Sequence, residues 1–134
     1  MNKNSINSTE KAINTFVKQG YLTKQCGQAC LSMVTREPKE MIVKNLDKEY
    51  YTGIHDDLQK YLDERNYKTL LAVGNFQMEE VPNNSIVRLK KPDNTGHFIL
   101  KDENGLLLDP NVGIVKLYLN DYKVSHYLKF EKIE

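Results

Sequence analysis

Apolar side chains recur with a helical period through the first half of the chain. A first helix is predicted from a cap at Ser8 or Thr9 to a stop before Gly20. A second helix is predicted from about Cys26 to about Arg36, because its apolar residues return every three or four positions and would line one face. That apolar stripe consists of Cys26, Ala29, Cys30, Met33 and Val34.

Two shorter helices are predicted next. Pro38 suits the first turn of the third helix, because its fixed backbone angle is compatible with a helix start. Thr52 is predicted to cap the fourth helix by offering its side-chain oxygen to a free backbone N–H. The apolar positions are Met41, Ile42 and Leu46 in the third helix and Ile54, Leu58, Tyr61 and Leu62 in the fourth.

The second half of the chain changes to the short apolar runs that are typical of strands. Four strands are predicted at residues 70–73, 85–89, 97–100 and 106–108, with one or two more at 115–119 and 127–130. The sequence Asp-Glu-Asn-Gly at 102–105 predicts a hairpin turn between the third and fourth strands. Helices followed by strands predict an α+β domain, in which the helices pack on one face of an antiparallel sheet.

Length and charge narrow the class of protein. The 134 residues fit one domain, with a helical part over about 8–66 and a sheet part over about 67–132. A formal net charge of +1 predicts no nucleic-acid partner, and the apolar runs are too short for membrane insertion. The N-terminal residues lack the apolar stretch of a signal peptide, and two cysteines are too few for a disulfide scaffold. We therefore expect a cytoplasmic protein, with delivery to another cell left open.

Three short segments carry residues with catalytic chemistry. Cys26 lies in the first turn of a predicted helix, where the positive end of the helix dipole favours the nucleophilic thiolate. His97 begins a predicted strand, and Asp109 lies at the end of the return strand of the same hairpin. At the open end of that hairpin, Asp109 could accept from one ring nitrogen of His97 and orient the other toward Cys26. Gly27 is predicted to leave room for a substrate backbone beside the nucleophile.

Each of these residues also has an explanation without catalysis. Cys26 could be a buried structural cysteine, as Cys30 is expected to be one turn along the same helix. His97 could be solvated at a strand edge, and Asp109 could simply form an Asp-Pro turn. The sequence predicts no cofactor and no metal, because the two cysteines lack the second paired motif of a zinc site. The remaining histidines, His55 and His126, are expected at the surface.

The combined pattern resembles a known family. The residues Cys-Gly-x-Ala-Cys-Leu-x-Met at 26–33 are followed by Gly-His-Phe-Ile-Leu at 96–100 and Leu-Asp-Pro-x-x-Gly at 108–113. In this order they resemble the bacteriocin-leader-processing (double-glycine leader) peptidases, which are small papain-like cysteine peptidases of bacteria and their mobile elements. The resemblance implies a papain-like fold and hydrolysis of a peptide or amide bond through a Cys-His-Asp triad and a thioester intermediate.

The same resemblance implies a role for each residue. Cys26 would be the nucleophile, His97 the general base and acid, and Asp109 the group that orients the imidazole. Gln19 would donate to the oxyanion together with the Cys26 backbone N–H. Gln19 lies one residue further from Cys26 than the family pattern has it, so the loop between them would need a bulge, and Gln25 is the less favoured candidate.

Two other functions remain open from the sequence. A deamidase or transglutaminase-type effector that modifies a host protein would form the same thioester and use a different acyl acceptor. A non-catalytic module that binds a peptide or protein could retain the fold without the activity. In all three cases the expected partner is a peptide or a protein, and the oligomeric state stays open.

Overall fold

The computed structural model describes residues 16–18, 24–116 and 122–133. Within these residues three helices precede a sheet of six strands, which confirms the predicted α+β class. The helix predicted between Ser8 and Gly20, and with it Gln19, lies outside the described residues except for 16–18. The prediction that residues 1–134 form a single domain stays a prediction.

Helices α1 (Cys26–Thr35) and α2 (Lys39–Leu46) lie where the apolar period predicts them. Helix α1 ends because Arg36 turns into the left-handed region, with a φ of 67°. Pro38 directly precedes α2 instead of forming its first turn, and its φ of −57° directs the chain into the helix. Every residue from 27 to 33 is buried, so α1 is the central helix of the fold.

The fourth predicted helix begins later and with wider turns than expected. Residues Ile54–Gln59 form π-helical turns that continue into α3 (Lys60–Asp63). The prediction that Thr52 caps this helix is wrong, because the preceding residue is Gly53 and no side chain at the cap position bonds the first turn. The carboxylate of Asp57 instead accepts the Gly53 backbone N–H at 2.7 Å.

The six strands form one sheet in the order β1-β6-β2-β3-β4-β5, and every neighbouring pair is antiparallel. The strands are β1 (Tyr67–Phe76), β2 (Ser85–Lys90), β3 (Gly96–Lys101), β4 (Leu107–Asp109), β5 (Gly113–Val115) and β6 (Lys123–Lys132). Strands β1 and β6 are longer than predicted, because they pair with each other along their lengths. Residues 117–119 of the strand predicted at 115–119 lie outside the described residues.

A tight turn joins β3 and β4, as the sequence predicts. Gly105 has a φ of +83°, which favours glycine, and its N–H donates to the Asp102 carbonyl at 3.1 Å. The Asp102 carboxylate accepts the backbone N–H groups of Asn104 and Leu106, each at 2.9 Å. This turn sets a register in which Leu100 faces Leu108, and it brings the start of β3 toward the end of β4.

Both faces of the sheet bury apolar side chains. The helices cover one face, and the cluster between them includes Leu31, Met33, Ile42, Leu58, Leu62, Ile86, Phe98, Leu100, Leu108 and Leu128. A smaller cluster on the other side contains Val81, Val87, Leu89, Ile99, Leu107 and Val124. The side chain of Cys26 packs against the first cluster, so the candidate site lies at its margin.

Candidate active site

The N-terminus of α1 meets the beginning of β3. Cys26 is the first residue of α1, and its Sγ accepts a hydrogen bond from the Phe98 backbone N–H at 3.4 Å. The thiol is half-buried, and both cysteines are free. The fold therefore places the side chain of Cys26 directly beside the residue that follows His97.

The imidazole of His97 lies between a carboxylate and this thiol. Its Nε2 is 2.7 Å from Asp109 Oδ1, and both side chains are largely buried. Because Nε2–H donates to the carboxylate, Nδ1 is the ring nitrogen left for the hydrogen bond between His97 and Cys26. The backbone N–H of Asn111 donates to the same Asp109 oxygen at 2.8 Å and holds the carboxylate in place. Asp109, His97 and Cys26 thus form one continuous series of contacts.

These contacts favour charge on both the thiol and the imidazole. Burial by itself would raise the pKa of Cys26, but the hydrogen bond and charge of His97, with the backbone N–H groups of Phe98 and Gly27, hold that pKa below its ordinary value. Burial by itself would lower the pKa of His97, but the hydrogen bonds and charges of Asp109 and Cys26 raise it to about 9. Both shifts favour a thiolate beside an imidazolium.

Cys30 has the opposite environment, although it lies only one turn further along α1. Its side chain is fully buried in the helix-covered cluster. This burial raises the pKa of Cys30 well above its ordinary value, and the negative charges of Cys26 and Asp109 raise it further. Cys30 therefore stays a protonated core residue, which agrees with its predicted place in the core.

The backbone at the start of α1 can donate a hydrogen bond to an oxyanion. The first N–H groups of a helix have no partner within it, and Cys26 is the first residue of α1. Gln19, the side chain expected to assist, lies outside the described residues. Gln25 directly precedes the helix, where its backbone oxygen accepts the Ala29 N–H at 2.9 Å and its side chain makes no capping hydrogen bond.

Gln28, two residues after Cys26, lies in the interior, although the sequence pattern did not single it out. Its Nε2 donates to the Lys48 carbonyl at 3.1 Å, and its buried Oε1 has no hydrogen-bond partner among the described residues. In the sequence, the sign of a buried polar side chain was the position of Gln28 between the small residues Gly27 and Ala29. The helical period places Gln28 off the apolar stripe, so the pattern favoured exposure.

Gly27 has a different purpose from the one predicted. It is buried, and a Cβ at this position would overlap the Thr52 hydroxyl and lie 3.1 Å from Thr52 Cβ. The glycine therefore lets the loop before α3 approach the first turn of α1, instead of leaving space for a substrate. The described part of the chain offers the buried Thr52 hydroxyl no hydrogen-bond partner, so the contact is one of packing.

Replacing Gly27 by alanine is expected to destabilise the protein by about 1–3 kcal/mol, because the added methyl group has no free space. In the double variant Gly27→Ala/Thr52→Ala the overlapping hydroxyl is gone, so the loss in the free energy of unfolding should be smaller than the sum of the two single changes. Urea denaturation of the four proteins measures this coupling. Strict additivity would contradict the proposed packing contact.

No group of three or more His, Cys, Asp or Glu side chains in the described residues is arranged to hold a metal ion. No helix in the described part of the chain is long and apolar enough to cross a membrane.

The arrangement of helices and sheet is the fold of a class of peptidase domains. The chain is similar to the peptidase domain of Streptococcus ComA, a bi-functional ABC transporter involved in a quorum-sensing pathway, with a TM-score of 0.66 and 13% identity. That match covers 88% of this chain and 98% of the ComA domain. The shared fold confirms the resemblance drawn from the three motifs.

A second solved structure has the same fold. It is a double-glycine-motif protease from an AMS/PCAT transporter in complex with the leader peptide, with a TM-score of 0.63 and 16% identity. The match covers 87% of this chain and 91% of that protease. No protein-family model and no curated protein matches the sequence.

Proposed function

We propose that the protein is a papain-like cysteine peptidase in which Cys26, His97 and Asp109 form the catalytic triad. The observation that carries this proposal is the series of contacts from the buried Asp109 carboxylate through His97 to the thiol at the start of α1. Nucleophilic acyl transfer requires a nucleophile, a base and an orienting group that lie within hydrogen-bonding reach of one another. The shared peptidase-domain fold supports the same class of reaction.

The first half of the reaction forms the acyl-enzyme. The Cys26 thiolate attacks the carbonyl carbon of the peptide bond, and the oxygen becomes an oxyanion. The Cys26 backbone N–H stabilises that charge, and the family resemblance assigns a second donor to Gln19. The His97 imidazolium then gives its Nδ1 proton to the leaving amine, the C–N bond breaks, and a thioester to Cys26 remains.

The second half returns the enzyme to its starting state. Neutral His97 takes a proton from a water molecule as that water attacks the thioester carbonyl. The C–S bond then breaks, a carboxylic acid product leaves and loses its proton to the solvent, and the thiolate–imidazolium pair is restored. Throughout both halves Asp109 keeps the ring oriented through Nε2, so the same Nδ1 serves as acid and then as base.

The substrate that this proposal favours is a peptide with a double-glycine motif. A neighbour in fold is a double-glycine-motif protease that was solved with a leader peptide. The motif segments of this chain point to the same family. We propose that residues 1–134 act as one domain on such a peptide.

The proposal is tested by incubating the protein with synthetic peptides that contain a Gly-Gly pair and identifying the products by mass spectrometry. Wild type should yield two fragments whose masses sum to the peptide plus one water. Cys26→Ala should yield none, whereas the matched Cys30→Ala variant, altered one turn along the same helix, should still cleave. A peptide that stays intact and shifts by one dalton would identify a deamidase, and cleavage by Cys26→Ala at the wild-type rate would exclude the proposed nucleophile.

A further inference from the structure

A row of side chains crosses the sheet and ends at the candidate nucleophile. Arg88 in β2 faces Phe98 in β3, and the Phe98 backbone N–H contacts Cys26 Sγ. On its other side Arg88 faces His126 in β6, and His126 faces Val73 in β1. Residues in direct register point to the same face, so these side chains continue the helix-covered face beyond the helices.

The guanidinium of Arg88 lies over the residue that precedes His97. A Cβ on Gly96 would be 2.5 Å from Arg88 Nη2 and 2.7 Å from both Cζ and Nε. Only a glycine at position 96 therefore allows the guanidinium to lie there. Because Gly96 is bonded to His97, the positive group lies beside the strand segment that contains the candidate base and the Phe98 N–H that contacts Cys26.

A bulge in β6 holds this guanidinium in place. Between the residues that face Arg88 and Leu89, β6 contains one extra residue, Ser125. Bulges of this kind redirect a side chain, and here the Ser125 hydroxyl accepts a hydrogen bond from Arg88 Nη1 at 2.9 Å. His126 Nδ1 lies 2.8 Å from the same hydroxyl.

The described residues do not balance the charge of Arg88. Among the described residues no carboxylate lies within ion-pair distance of Arg88. The titratable neighbour is His126, and burial together with the Arg88 charge lowers the pKa of His126, so the neighbour is neutral near pH 7. A partly buried guanidinium is costly without an anion and has several donors free beyond the one bound to Ser125.

We propose that Arg88 recognises a carboxylate of the peptide substrate close to the bond that is cleaved. A guanidinium binds a carboxylate through two parallel hydrogen bonds, which favours this ligand over a neutral amide of the same shape. The carboxylate comes from an acidic side chain of the substrate or from its C-terminus. The inference rests on the proposed function, because it places the carboxylate relative to Cys26.

The first test uses two alkylating reagents that differ only in charge. Iodoacetate and iodoacetamide have the same size. The rate of iodoacetate at Cys26 divided by the rate of iodoacetamide reports the attraction of a carboxylate, whatever the fraction of thiolate. Arg88→Gln should lower this ratio by about three- to tenfold, since one nearby positive charge is lost, and Arg88→Lys should largely preserve it. Arg36→Gln removes the same charge at the other end of α1 and should leave the ratio unchanged.

The second test uses wild-type protein alone and separates the two sources of the carboxylate. Gly-Gly peptides are compared in pairs, Glu against Gln near the cleavage site and a free C-terminus against a C-terminal amide. The pair whose acidic member has a kcat/KM about tenfold higher identifies the source. Equal kcat/KM within every pair would overturn the proposal whether or not the Arg88 variants fold.

The two proposals fail in different ways. In the first case, Cys26 reacts rapidly with iodoacetamide at mildly acidic pH, but the ratio of the iodoacetate rate to the iodoacetamide rate is the same in wild type and Arg88→Gln. The carboxylate site is then excluded and the peptidase assignment stands. If wild-type Cys26 reacts as slowly as an ordinary thiol with both reagents, the peptidase assignment fails and the Arg88 site fails with it.

Discussion

Replacing His97 by alanine is expected to lower kcat/KM for peptide cleavage by on the order of 10³-fold, because in the proposed mechanism one substitution removes both the general base and the partner of the thiolate. His97 offsets the burial that raises the pKa of Cys26. Without it that pKa should rise, since the backbone N–H groups of Phe98 and Gly27 are the remaining groups that lower it. The thiol would then be protonated at the pH where the wild type carries a thiolate.

Alkylation by iodoacetamide measures this change without a substrate. At about pH 6 a thiol with an ordinary pKa near 8.5 is only about 0.3% thiolate, so wild-type Cys26 should react at least about tenfold faster than Cys26 in His97→Ala. Cys30 serves as an internal control, because it is fully buried and its raised pKa keeps it slow in both proteins. His55→Ala, which removes an exposed histidine, should leave the profile unchanged. Identical pH profiles in wild type and His97→Ala would exclude the ion pair.

The meeting of His97 and Asp109 was predictable because local sequence determines it. The Asp-Glu-Asn-Gly segment at 102–105 forms a tight turn, and the left-handed Gly105 closes it. Once that turn is fixed, antiparallel pairing brings the two ends of the hairpin together. The position of Cys26 at a helix start was equally visible, since the apolar stripe of α1 begins there.

The surroundings of Cys26 could not be predicted in the same way, because they depend on contacts between distant parts of the chain. Gly27 next to a cysteine is compatible with an open site or with close packing, and only the approach of Thr52 distinguishes the two. The start of the fourth helix was mistaken for a similar reason. A Thr-Gly pair offers two cap positions, and the carboxylate of Asp57 bonds the second.

Arg88 shows what a strand pattern reveals and what it omits. Alternation along β2 places Arg88 on the same face as Ile86, which is buried under the helices. In the sequence, a charged residue at an otherwise apolar position of a strand is therefore typical either of a buried ion pair or of a binding residue. Where the helices end on that face depends on tertiary packing, so the sequence alone did not distinguish a buried ion pair from a binding residue.

Two substitutions of Asp109 are expected to separate the orienting role of this residue from the role of its charge. The carboxylate accepts hydrogen bonds from His97 Nε2–H and from the Asn111 N–H, both at Oδ1. An asparagine amide oxygen can accept the same two bonds, so Asp109→Asn should keep the ring oriented. Asp109→Ala removes both bonds, leaves the Asn111 N–H without this partner, and should reduce kcat/KM on the order of 10²–10³-fold near pH 7.

The pH profile distinguishes the two variants further. In wild type the active ion pair is lost as pH rises and His97 gives up its proton, so kcat/KM should fall with an apparent pKa of about 9 that belongs to the coupled pair. The negative charge of Asp109 helps to hold the pKa of His97 that high. Asp109→Asn lacks this charge, so the alkaline limb should move to lower pH, with a loss on the order of tenfold in kcat/KM near neutral pH.

Measuring kcat/KM from about pH 5 to pH 10 for wild type, Asp109→Asn and Asp109→Ala therefore tests both roles in one experiment. An asparagine variant that is as inactive as the alanine variant would show that the charge matters more than the orientation of the ring. An alanine variant that keeps the wild-type alkaline limb would show that Asp109 does not set the pKa of His97. Thermal unfolding of each variant separates a loss of activity from a loss of fold, because Asp109 is buried and its removal also affects stability.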